Sequence, residues 1–149
     1  MLACREGELG VVRWVYAHGA AETVRTPKAD GWTPMLTSCF NGDLNVAKWL
    51  YQAGAFEDTR TPSNNGNTPM FVACEKGHLA VVKWLHEAGA ADDITRAATG
   101  GWSRGWTPLR AAVQGDHHPT VLWLVLHGAA SDKGGHVDFC VIEESLCNI

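Results

Sequence analysis

GNTPMFVACEKGHLAVVKWLHEAGA, residues 66–90, carries two short helices and the turns that bound them. Asn65-Gly66 is a turn dipeptide. Thr68 is a good N-cap, and Pro69 suits the first helical position, where no amide donor is needed. A helix over residues 70–76 follows, ending near Gly77. A second runs over residues 79–88, with Leu79, Val82 and Leu85 at helical spacing and Val81 and Trp84 widening the apolar stripe. Gly89 supplies the left-handed residue that stops it. Neither helix is long enough to be stable alone in water. Stacking on neighbours must supply the stability.

The neighbours are in the same chain. The second-helix block returns as VVRWVYAHGA (residues 11–20), VAKWLYQAGA (46–55), VVKWLHEAGA (81–90) and TVLWLVLHGA (120–129). Trp14, Trp49, Trp84 and Trp123 share one column. Gly19, Gly54, Gly89 and Gly128 share another. The first three Trp are 35 residues apart and the last step is 39. A fixed period in this range means a solenoid of identical units, which offers a long surface more readily than a pocket.

GWTPMLTSCFNGDLNVAKWLYQAGA and GNTPMFVACEKGHLAVVKWLHEAGA resemble ankyrin repeats, and the resemblance covers roughly residues 2–130. It rests on GxTP, a small residue in the first helix (Ser38-Cys39, Ala73-Cys74), a Gly turn, VVKxL and the terminal GA. It implies an all-α solenoid of stacked helix-turn-helix repeats with β-hairpin or loop fingers. The chain departs from the family pattern in three ways. Leu36, Phe71 and Arg110 occupy the His of TPLH. Trp replaces Leu in the second helix. The period is about two residues longer than the usual 33, with the extra residues in the finger loop.

The organisation expected is a single array: a partial first repeat (1–30), repeats at 31–65, 66–104 (with an extended loop) and 105–134, and a degenerate half-repeat acting as a cap (135–149). The first copy lacks its Thr-Pro cap, which suggests a longer parent chain and a fraying first turn. The fourth long helix puts Leu122, Val125 and Leu126 where earlier copies are more polar. GHVDFCVIEESL, residues 135–146, is the expected cover. The 39-residue step has a simple origin in GW-SR-GW-TP: Ser103-Arg104-Gly105-Trp106 reads as an insertion before Thr107-Pro108.

Composition narrows function. The 149 residues are 46% apolar and 19% charged, with formal net charge −4. Nucleic acid is therefore an unexpected partner. No run of about 18 apolar residues appears, and MLACREGEL lacks a signal-peptide layout, so neither membrane span nor secretion is expected. Five Cys without CxxC spacing suit reduced thiols. The expectation is an intracellular, cytoplasmic or nuclear, monomeric and non-enzymatic protein.

No cofactor or metal is expected. The Cys column (Cys4, Cys39, Cys74) places one thiol per repeat, roughly 10 Å apart, too far for shared ligation at about 2.3 Å per bond. His117-His118 beside Asp116 are adjacent on a turn and form no chelating face. His118 takes the place of Leu44 and Leu79, and reads as partly buried. The Trp column reads as a buried spine between helices, with a ligand platform as the alternative.

The fingers are the better place for function. Arg25 and Arg60 hold one finger position, with Arg96 one residue offset. They either pack the fingers or form a basic rail for acidic residues of a partner. Trp32 and Trp106 fill the x of GxTP, with Asn67 between them. Trp102 and Arg104 lie in the longer third finger. Trp and Arg dominate interface energies, though Trp32 and Trp106 have packing on neighbouring fingers as their alternative role. By the resemblance, finger tips and first-helix surface line the binding face, adding Phe40, Asn41, Glu75, Lys76 and Gln114. The function expected is non-covalent binding of another protein. The alternatives are a regulatory or substrate-docking segment of a larger enzyme, and a purely structural array.

Overall fold

The computed structural model describes residues 25–129, together with helical positions at Gly10, Arg13 and Ala17. Three helix pairs follow in order. They are α1 (Pro34–Asn41) with α2 (Leu44–Leu50), α3 (Pro69–Glu75) with α4 (Leu79–Leu85), and α5 (Pro108–Gln114) with α6 (His118–Leu124). First helices form one layer: α3 lies between α1 and α5. Each second helix packs on its own first helix, building an outer layer. No strand occurs among the described residues. Nor is any of their helices long and apolar enough to cross a membrane.

The caps form as their chemistry requires. The hydroxyls of Thr33, Thr68 and Thr107 accept the amides of Leu36, Phe71 and Arg110 at 3.1, 3.1 and 3.4 Å. Each satisfies an amide that has no partner within its own helix. The first helices are buried along almost their whole length, from Pro34 to Cys39 and from Pro69 to Cys74. Leu36 and Phe71, in the position of the missing His, are 0% and 1% exposed. Apolar contact between repeats thus replaces polar bonding there, whereas Arg110 in the same position is exposed.

The second helix keeps a helical backbone through residue 88, widened after Leu85, and is stopped by left-handed Gly89 (φ 103°), as expected. Phe56–Thr59 and Ala91–Thr95 are tight 3-10 turns, which bury Asp58 and Asp93. The Trp column is not a buried spine: Trp49, Trp84 and Trp123 are half-buried at the margin of the core. The second helices form the outer layer, and their inward positions belong to Val46, Leu50, Val81, Val82, Leu85, Val121 and Leu124. The rings instead link repeats along the outside. Tyr51 meets Trp84 edge-to-face at 5.9 Å, and His86 meets Trp123 at 5.3 Å. His127 stacks on Trp123 at 3.9 Å. Trp14, Cys4 and the proposed cap lie outside the described residues. Leu126, whose apolarity suggested a cover, is 73% exposed.

Repeats are also joined through the turn between paired helices. Nε2 of His78 lies 3.0 Å from the Phe40 carbonyl, and Nε2 of His117 lies 2.9 Å from that of Glu75. A carbonyl only accepts, so each ring carries its proton on Nε2. The rings lie over Gly42 and Gly77, where an added Cβ would fall 2.6 and 2.4 Å from the nearest ring atom. His118 is half-buried, with Nδ1 3.0 Å from the Asp116 carbonyl, as its place in the Leu column predicted.

Candidate functional site: the finger and first-helix face

The fingers are irregular hairpins closed by paired backbone bonds: Trp32 accepts from Lys28 and Asn67 from Ser63, at 2.9 and 3.0 Å, and Gly31 and Gly66 donate back to Lys28 and Ser63 at 2.8 Å. Successive fingers bond to each other. Asn64 donates to the Asp30 carbonyl, and Thr99 to that of Asn65. These two bonds set the register of the third finger. Thr99 matches Asn64, and Gly105 (φ 78°) matches Gly31 and Gly66 (φ 79° and 76°). The four extra residues therefore lie within 100–104, ahead of Gly105, and not at the 103–106 expected from the GW duplication. The Ala98–Trp106 closure encloses them.

The longer finger is pinned. Ser103 is buried and donates its hydroxyl to Oδ1 of Asn67 at 3.0 Å. Gly100 donates to Asn65, Gly105 to Ala98, and Trp106 to Ser103. Asn67, a candidate contact residue, is thus buried and engaged in holding its neighbour. Trp102 is left 65% exposed, edge-to-face with Trp106 at 5.2 Å. The Arg110 guanidinium lies 4.8 Å from the Trp106 ring centre. Arg104 is exposed beside them in sequence.

A second cluster forms on the first two described repeats. Trp32 meets Phe40 edge-to-face at 5.4 Å, and the Lys76 ammonium stands 4.6 Å over the Phe40 ring. Lys76 also pairs with Glu75 at 3.0 Å. So the structure brings Trp32, Phe40, Glu75 and Lys76 together, and joins Trp102, Trp106 and Arg110. Arg110 was absent from the sequence-based candidates because TPLH alignment marks its position as internal.

The three aligned Arg are placed otherwise. Arg25 donates to Glu57 at 2.7 Å and to Asp58 at 3.4 Å, both one repeat on. Arg60 reaches Asp92 at 3.5 Å and Asp93 at 3.7 Å. Arg96 turns back to Asp93 at 3.5 Å. Each Arg is about half exposed, and Arg25 and Arg60 act as struts between successive repeats. Their buried partners were not singled out in the sequence. The signal was present: Asp58, Asp93 and Asp132 each stand four residues after a repeat Gly.

Burial raises the Asp58 and Asp93 carboxyls above the ordinary value, against the pull of the Arg groups. One oxygen of each is buried without a hydrogen-bond partner, which adds to the cost of the charge. Arg25 is solvent-exposed, feels mainly the attraction of Glu57 and Asp58, and is raised too. A carboxyl raised on folding contributes stability that is complete below pH 3.8 and lost as pH rises through the folded-state value. Wild-type stability should therefore fall, as pH rises from 3.8 to neutrality, more steeply than that of D58N/D93N, measured by urea unfolding at steps across that range. Parallel pH profiles would refute this account.

The two described thiols are poor nucleophiles. Burial pushes the Cys39 thiol up to about 12 and raises Cys74 as well, so neither is a thiolate at neutral pH. His117 and His118 diverge onto separate carbonyls.

A solenoid of capped helix pairs, joined through fingers and exposing aromatic and cationic groups at their tips, defines a repeat scaffold. The family model for ankyrin repeats (3 copies) matches residues 1–98 and 57–134. The chain belongs to the ankyrin repeat family, whose members are generally protein–protein interaction modules. None of the curated proteins matches it.

Proposed function

We propose that this chain binds another protein through its finger and first-helix face, without catalysis. The observation that carries the reading is the pinned, solvent-facing set of Trp102, Trp106 and Arg110, with Trp32, Phe40 and Lys76 further along. Aromatic and Arg side chains held rigid before binding lose little entropy on association. Arg25 and Arg60 contribute indirectly, by setting the spacing of the fingers. Arg96, Glu75 and Asn67 hold their neighbours in place, and Arg104 lies at the edge of the third finger.

The test is affinity capture from source lysate followed by binding of the captured protein to surface variants. K76E, W102A and R110E change exposed side chains and leave the core intact. Each should weaken binding by about tenfold or more. K48E and K83E, on the outer helices, should not. Loss of binding confined to the outer-helix variants would overturn the proposal.

A further inference from the structure

The third finger differs from the others in charge as well as length. From Ile94 to Gly115 the chain has Arg96, Arg104 and Arg110 and no Asp or Glu, although its net charge is −4. Arg96 is spent on Asp93. Arg104 and Arg110 pair with no carboxylate among the described residues. Arg110 instead lies with its guanidinium over the Trp106 ring. That arrangement leaves its N–H groups open to a bidentate acceptor, while the ring limits its rotation. Next to it Trp102 is 65% exposed on a turn whose base is closed by the buried Ser103–Asn67 bond. An exposed indole fixed by a pinned loop, beside an unpaired guanidinium, is an aromatic anchor with a carboxylate receptor attached.

We infer that the third finger is the specificity element of the binding face and takes an acidic segment of the partner protein. An Asp or Glu carboxylate would pair with Arg110, and an adjoining apolar side chain would cover Trp102. Arg104 adds to the local positive field that attracts such a segment. This rests on the protein-binding reading above. A single-stranded nucleic acid would also use Trp and Arg, but two unpaired Arg in an acidic chain form no phosphate-tracking groove.

Selection of a random peptide display library on the full chain tests the inference. Enriched peptides should carry Asp or Glu beside an apolar residue. Their affinity should fall about tenfold to a hundredfold for R110Q and for W102A. It should fall by less for R110K, which keeps the charge and loses the fork. Equal unfolding midpoints would show that the variants retain the fold. Enrichment without acidic bias, or unchanged binding by both R110Q and W102A, would overturn the inference. If that binding is nevertheless abolished by K76E, the face stands and only the third-finger assignment falls. If no peptide enriches, or only K48E and K83E weaken binding, both fall. Binding of a short poly-dT oligonucleotide that is lost in W102A would replace the acidic segment with nucleic acid.

Discussion

Replacing Phe71 with alanine should lower the stability of the array by about 3–5 kcal/mol, read as a fall in the urea midpoint. Phe71 is 1% exposed and is among the largest fully buried side chains. It sits on α3, the first helix that touches both α1 and α5. Truncation removes apolar area and leaves a cavity that two neighbouring repeats line. Interiors of this density collapse only partly around such a void. Because a solenoid is held together by nearest-neighbour contacts, a weak middle repeat also uncouples the two ends. The unfolding transition should therefore broaden, with a lower m-value. A loss under about 1 kcal/mol, within the range of surface substitutions, would contradict the account of this column as inter-repeat core.

The second large effect is expected at Gly77, and its size should exceed that at Gly89. Both have positive φ, 72° and 103°, so alanine at either strains the backbone by about 1–2 kcal/mol. They differ in what a Cβ would meet. At Gly89 there is nothing within 4 Å, whereas at Gly77 the His117 Nδ1 lies 2.4 Å away. G77A must displace the imidazole and break its 2.9 Å bond to the Glu75 carbonyl. That adds about 1–3 kcal/mol, because the carbonyl loses its partner within the repeat interface. In an H117A background the difference between G77A and G89A should largely vanish, a double-mutant test of the contact. Equal losses for the two glycine variants in the wild-type background would show that the imidazole yields without cost.

Much of this was legible because it is local or periodic. Thr68-Pro69 announces a cap whose bond needs only four consecutive residues, and it forms at 3.1 Å. The left-handed Gly89 was readable from its place after a helical stripe. His118 was correctly placed by its column. The Trp rings were misread because periodicity reports that a face is apolar without stating which layer covers it. Trp84 lies on the outer layer and finds Tyr51 of the preceding repeat, 33 residues earlier. The duplicated GW offers two equivalent alignments of the finger insertion, and the Thr99–Asn65 and Ala98–Trp106 bonds put it ahead of Gly105.

At the candidate site the same division holds. Trp102 and Trp106 stood out as departures from the repeat pattern. Arg110 did not, because its column is buried in the other two described repeats. Arg25 and Arg60 were visible as an aligned pair with two possible roles. Only the folded chain brings them against Glu57, Asp58, Asp92 and Asp93.

The repeat, its period, the caps and stops of its helices and the family are all legible in the chain before it folds. Each is encoded within one turn or one unit, by propensity, capping and periodic burial. Which aromatic and charged side chains face solvent, and which are spent on the next repeat, emerges only on folding. Those outcomes depend on contacts between residues a full repeat apart, where distance and burial, rather than local preference, set the energy.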